Sequence, residues 1–291
     1  MNKTLFEDLK YKVLHSGNPI FLYIGINTFI FVLVAFITVA IFLSGNSAAG
    51  LQAFINEYFA FPVALEKLPY RFYTIITYQF FHSGVFHLLF NMLWLYWLGR
   101  IFLDFLKPRQ FHFVYLAGGI AGAVLFSLAF HLFPVFEKNI AEASVIGSSG
   151  AVMAIVVATA TLMPNFTIRL LFLGDVKLKY LALAYVVLDI IGVASVNAGG
   201  SFAHLGGAVL GFSYIKALKS GYDWSNIFKR KPKAPNMKVN KNENYKRSSS
   251  SSKADVVAQA EIDAILDKIS KSGYDKLSKE EKETLFKASK H

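Results

Sequence analysis

Apolar residues run along this chain in long blocks, with few charges inside them. Six blocks approach the ~20 residues that a bilayer span needs: Ile20–Leu43, Val85–Arg100, Phe111–Phe133, Val145–Met163, Leu178–Val196 and Ser201–Leu218. The second is short, but its apolar pattern continues to Phe105. The blocks predict an all-α membrane protein with six transmembrane helices. Between the first two lies a long connection, Ser44 to Phe81, holding the aromatic-rich stretch LQAFINEYFAFPVALEKLPYRFY. A structureless loop of that length is unusual. It is expected to be partly helical and to lie in the membrane interface, where aromatic rings settle favourably.

Composition strengthens this picture. Charged residues make up 17% of the chain and hydrophobic ones 54%, against about 25% charged in a soluble domain. The basic residues cluster in four places: Lys3, Lys10 and Lys12; Arg100, Lys107 and Arg109; Arg169, Lys177 and Lys179; and Lys216, Lys219 and the tail. All four fall on one side of a six-span protein whose N-terminus is inside, so both termini are expected to be cytoplasmic. The net charge of +11 then reads as a topology signal, and no nucleic-acid partner is expected. The chain has no cysteine, which excludes disulfides, thiolate zinc sites, thiol catalysis and iron–sulfur clusters. Its first residues mix acids and bases ahead of a full-length span, unlike a cleavable signal or transit peptide.

Beyond the last span the pattern changes. The expected organisation is a cytoplasmic N-terminus over residues 1–19, a six-span domain over 20–218, a basic and Ser-rich linker over 219–253 and a small helical segment over 254–291. Lys229, Arg230, Lys231 and Lys233 either attract anionic headgroups or act only as a topology signal. Ser248 to Ser252 end a polar stretch expected to be disordered. Val257, Ile262, Ile265, Leu266 and Ile269 form a stripe at helical spacing. Gly273 is a stop, and Ser278 with Glu281 makes a capping-box pattern for a second helix. So short a segment buries little core alone. It is expected to dock on an unknown partner, on a second copy or on membrane lipids.

Polar groups inside a membrane are costly, and each requires an explanation. Gly147-Ser148-Ser149-Gly150 stands at the start of the fourth block. Serines there can serve packing. At a helix start, free backbone N–H groups can equally stabilise an oxyanion beside a serine nucleophile. His204 is either a hydrogen-bonded structural residue or the base for that serine. Gly207 and Gly211 share its helix face and let another helix come close, which would bring the sixth span against the fourth and His204 to Ser149. His87 and Asn91, one turn apart, form either an interhelical contact or a pair of donors for a developing negative oxygen. Ser149 and His204 each stand about 14 residues above the cytoplasmic end of their spans, roughly 21 Å, and His87 stands roughly 20 Å above Arg100. All three therefore share the outer third of the membrane. Asp189, in the fifth span, completes a chain order Ser149…Asp189…His204 that would permit a triad. The alternative is a structural hydrogen-bonding acid.

On these residues the chain resembles the rhomboid family of intramembrane serine proteases, of bacterial type, over roughly Pro69 to Leu218. The family's G-x-S-G pattern fits Gly147–Gly150, its H-x-x-x-N fits His87 and Asn91, and its A-H-x-x-G-x-x-x-G fits Ala203, His204, Gly207 and Gly211. The stretch HSGVFHLLFNMLWLYWLG is also similar to the family's second span. The resemblance implies a rhomboid-like bundle with Ser149 as nucleophile, His204 as general base and acid, and no catalytic acid. It implies an oxyanion hole from the Ser149 amide, His87 and Asn91, with Gly150 and Gly207 in support. No metal or cofactor is implied. The substrates would be transmembrane segments, cut near the outer face of a bacterial inner membrane. Several family members carry an aromatic residue four positions after the nucleophile, stacked on the histidine. Here that position is Met153, whose thioether also packs on rings.

Other classes fit less well. A transporter would show broken helices and paired charges at the midplane. A zinc protease would show H-E-x-x-H, which is absent, and an aspartyl enzyme would show facing aspartates in adjacent spans.

Overall fold

A computed structural model of the protein describes residues 4–170, 174–195, 197–228 and 253–288. The chain divides into two compact units, residues 1–231 and 232–291. The first holds helices α1 (Leu5–Leu14), α2 (Pro19–Leu43), α3 (Ala49–Tyr58), α4 (Leu68–Arg71), α5 (Thr74–Thr77), α6 (Val85–Phe105), α7 (Pro108–Leu132), α8 (Ser149–Leu162), α9 (Leu178–Gly192) and α10 (Ala198–Lys219). Two small antiparallel ribbons join them. Strand β1 (Phe61–Pro62) pairs with β2 (Ser144–Val145), and β3 (Thr167–Leu170) with β4 (Gly174–Lys177).

The six expected spans appear as α2, α6, α7, α8, α9 and α10. Of these, α2, α6 and α7 are long and apolar enough to cross a membrane. Helix α2 starts cleanly: Asn18 Oδ1 accepts from the Ile20 N–H at 2.9 Å, and Pro19 fills the first position, where no donor is needed. Its buried residues are Pro19, Ile20, Tyr23 and Asn27, Ile24 and Phe31 also pack on the core, and Phe29, Phe36, Phe42 and Leu43 face outward.

Helix α8 differs from its expectation. It begins at Ser149, four residues after the predicted start at Val145. Gly147 has φ +128°, which ends helical geometry, and Ser144 and Val145 are held in extended pairing by Pro62 and Phe61. With 14 residues the helix is about 21 Å long, shorter than a ~30 Å hydrocarbon core. Every residue from Gly150 to Ala160 is buried among α6, α7 and α10.

Close approach to α10 explains this burial. A methyl group at Gly207 would overlap the Gly150 carbonyl oxygen, and one at Gly211 would overlap that of Ala154. The small-residue face read from the sequence therefore packs on the fourth span.

The Ser44–Phe81 connection is partly helical, as expected, but its far end does not stay at a surface. Tyr78 and Gln79 are buried in the bundle. Tyr78 Oη donates to the Gly119 carbonyl at 2.6 Å. Gly119 makes room, because any side chain there would overlap Gln79.

At the opposite end of α7 and α10, Asp223 gathers five hydrogen bonds. Its carboxylate accepts from Arg109 Nη2 at 2.7 Å, Ser225 Oγ at 2.6 Å, the Ser225 N–H at 3.0 Å, Tyr214 Oη at 3.0 Å and Gln110 Nε2 at 3.3 Å. Burial pushes this carboxyl up, but the bonds from Ser225, Tyr214 and Arg109 outweigh it and hold it below its ordinary value.

The second unit contains α11 (Lys253–Ser272) and α12 (Lys279–Ala288). Helix α11 gives way at Gly273, φ +81°. The Ser278–Glu281 capping box forms, with the Ser278 N–H 2.7 Å from Glu281 Oε2 and the Glu281 N–H 3.2 Å from Ser278 Oγ. Lys268 Nζ lies 2.7 Å from Glu281, and Ile265 and Leu277 are buried. The basic cluster Lys229–Lys233 and the serine run Ser248–Ser252 lie outside the described residues.

Candidate active site

The serine motif sits where the extended chain of β2 turns into α8. The Gly147 N–H donates to the Tyr78 carbonyl at 2.9 Å, anchoring the turn to the buried end of the first connection. A methyl group at Gly147 would stand 2.8 Å from His87 Cε1, so the turn and the His87 ring are in contact. Only a glycine combines that φ with that approach.

The two serines have different surroundings. Ser148 is fully buried, and its Oγ lies 3.1 Å from His82 Nε2. It occupies the N-cap position, yet its side chain caps no amide of α8. Ser149, the first helical residue, opens on a cavity of about 780 Å³ that His87, Asn91 and His204 also line. This arrangement separates a structural serine from an accessible one. It also leaves the first-turn N–H groups without a side-chain cap, and such groups can receive a negative oxygen.

His87 and Asn91 stand on the first turns of α6. His87 Nδ1 bonds Ser83 Oγ at 3.1 Å, and its ring meets His82 edge-on at 5.0 Å between centroids. Asn91 Nδ2 donates to the His87 carbonyl at 2.8 Å; an amide nitrogen has a second hydrogen to offer.

His204 projects from α10, which the glycine contacts press against α8. Its Nδ1 lies 2.7 Å from Asp189 Oδ1. Its ring also meets Tyr185 of α9 edge-on, 6.0 Å between centroids at 60°. Among the described residues no hydrogen bond joins His204 to Ser149; the two share the cavity wall. Such bonds are often long without substrate. Met153 is buried one turn after Ser149. The backbone at Gly150 packs on Ala203, where a methyl group would be 3.0 Å from the carbonyl oxygen.

The structure thus gathers Ser149, His204, His87 and Asn91 from three helices around one space. Asp189, favoured from the sequence as a structural acid, does form a hydrogen bond, and its partner is His204. Two contacts escaped the sequence reading. His82 reaches Ser148 from another segment of the chain, a pairing with no spacing signature. Tyr185 lies four residues before Asp189 on the same helix face, a spacing that could have flagged it.

A serine hydroxyl, an imidazole and a set of donors line one space in an apolar helical bundle, the groups that an intramembrane serine hydrolase would require. Residues 69–220 match the Rhomboid domain family, and the chain belongs to that family, one of intramembrane proteases. Residues 252–291 match a family of unknown function (DUF6576). Among curated proteins, the chain is 31% identical to RHOMBOID-like protein 12, mitochondrial, of Arabidopsis thaliana over 48% of this chain and 44% of that protein. It is 27% identical to Presenilin-associated rhomboid-like protein A, mitochondrial, of Danio rerio over 62% and 44%. It is 26% identical to RHOMBOID-like protein 4 of Arabidopsis thaliana over 52% and 36%. The chain spans less than half the length of these relatives. Two of them are mitochondrial by name, which overturns the expectation of a bacterial inner membrane. Basic loops report which ends of helices share a side, and not which membrane they cross.

Proposed function

We propose that this chain is an active intramembrane serine endopeptidase that cuts peptide bonds in or near transmembrane segments, with Ser149 as nucleophile and His204 as general base and acid. The observation that carries this reading is the shared cavity: of two adjacent serines, the one facing His204, His87 and Asn91 is the accessible one. In the reaction, Ser149 Oγ attacks the scissile carbonyl carbon while its proton passes to His204 Nε2. The carbonyl electron pair moves onto oxygen, held by the Ser149 N–H and the side chains of His87 and Asn91. Collapse restores the carbonyl and breaks the C–N bond. The departing nitrogen takes the proton from Nε2. Water then attacks the acyl ester by the same route in reverse, releasing Ser149. Residues 20–218 constitute the protease domain in this reading, residues 1–19 and 219–253 flank it, and residues 254–291 form an appended segment for a partner or the membrane.

The test uses purified protein in detergent with a fluorescent transmembrane substrate and a fluorophosphonate label. Wild type should cut and label at Ser149, while Ser149→Ala and His204→Ala should do neither. Cutting by Ser149→Ala at the wild-type rate would end the proposal.

A further inference from the structure

We infer that Asp189 is a positioning residue for His204, so that this chain works with a Ser149–His204–Asp189 triad supplied by three helices. The inference rests on the protease reading above. Four observations carry it. Asp189 Oδ1 lies 2.7 Å from His204 Nδ1, within hydrogen-bond distance of the ring nitrogen that does not face the nucleophile in the proposed reaction. The carboxylate is buried on an otherwise apolar helix, and among the described residues its Oδ2 has no partner. An acid kept for packing would ordinarily have both oxygens satisfied; this one is committed to the imidazole alone. Leu178, Ala182, Tyr185 and Asp189 fall on one face of α9, and that stripe ends on the His204 ring with two side chains, Tyr185 and Asp189. Finally, Met153 offers no aromatic ring from α8, so α9 provides the support for the imidazole.

The chemistry follows from where the protons sit. A carboxylate at Nδ1 accepts its hydrogen and fixes the neutral ring with a free electron pair on Nε2, the form that can take the Ser149 proton. When that proton arrives, the ring becomes an imidazolium. Its Nδ1–H stays bonded to Asp189, and the new positive charge is next to a negative one inside an apolar protein. Asparagine at this position keeps the shape but can present its N–H₂ to Nδ1. That forces the ring hydrogen onto Nε2 and leaves nothing there to accept a proton.

The experiment compares wild type, Asp189→Asn and Asp189→Glu, with Ser149→Ala as the blank, and adds ¹⁵N spectroscopy of histidine-labelled protein, assigned by the signal lost in His204→Ala. We expect Asp189→Asn to lower kcat on the order of 10³–10⁴-fold at unchanged KM, and Asp189→Glu to recover at least tenfold of that loss. The His204 ring should be protonated at Nδ1 in wild type and at Nε2 in Asp189→Asn. A folded Asp189→Asn within tenfold of wild type would overturn the inference. So would a wild-type ring protonated at Nε2, a result that needs no variant to fold. If wild type neither cuts nor labels, the protease reading fails by itself, and the tautomer still reports on Asp189.

Discussion

Helices α8 and α10 are joined to each other quite differently from the way α9 is joined to α10. The first pair meet backbone to backbone, with Gly207 and Gly211 against the carbonyls of Gly150 and Ala154. Helix α9 buries only Leu178, Ala182 and Asp189, and turns Leu183, Leu188, Ile190 and Ile191 outward. Its contacts with α10 at the site end are a hydrogen bond, a ring edge and one close approach of Gly192 to Ser201. Ser149 and His204 are thus placed by the fit of one backbone on another, while Asp189, beside His204, is held mainly by a hydrogen bond. Shape fails when volume is added; chemistry fails when a proton or a charge is changed.

That contrast can be broken most severely at Gly207. Replacing it with Val puts carbon where the Gly150 oxygen is. Activity should fall to the Ser149→Ala background, and overpacking should cost about 3 kcal/mol or more, read as a lower unfolding midpoint in detergent. Gly147→Ala should cost less stability and still lose activity on the order of 10²-fold, the typical effect of moving a site by about 1 Å. It combines φ +128° with a contact on His87; an unchanged kcat would show that the turn is not strained against the ring. Asp223→Asn, remote from the cavity, should leave activity at neutral pH intact and lower stability by about 2 kcal/mol, typical of hydrogen bonds to a charged group. Because the folded carboxyl is held below its ordinary value, its contribution is full above about pH 4 and is lost as pH falls through the depressed folded value. Wild type and variant melting curves should therefore converge in acid; a gap that stays constant down to about pH 2 would contradict the assignment. Leu188→Ala, on the outward face of α9, should change stability by about 0.5 kcal/mol or less, whereas a larger loss would mean that α9 is held by more than its inner stripe.

The six helices were legible because long apolar blocks have few other uses. The packing of α10 on α8 was legible too, since glycines at one helical face signal close approach. The start of α8 was not. Apolar content does not distinguish an extended segment such as Ser144–Val145 from a helical turn, and only the geometry at Gly147 and the pairing with Phe61 and Pro62 decide it. The Asp189–His204 bond was equally hidden, because sequence spacing fixes faces within one helix and not the rotation of one helix about another. The division of labour between Ser148 and Ser149 needed the position of His82, which comes from another segment of the chain.

The cavity also bears on supply. At ~30 Å³ per molecule in the liquid, its volume of about 780 Å³ has room for on the order of two dozen waters. Hydrolysis has two substrates, and in an oily layer the scarce one is water. If Ser149 is the nucleophile proposed above, a space of this size would let water stand at it before a peptide segment arrives from lipid. The rate of the second half-reaction would then depend on how the first product leaves, and not on how the next water arrives.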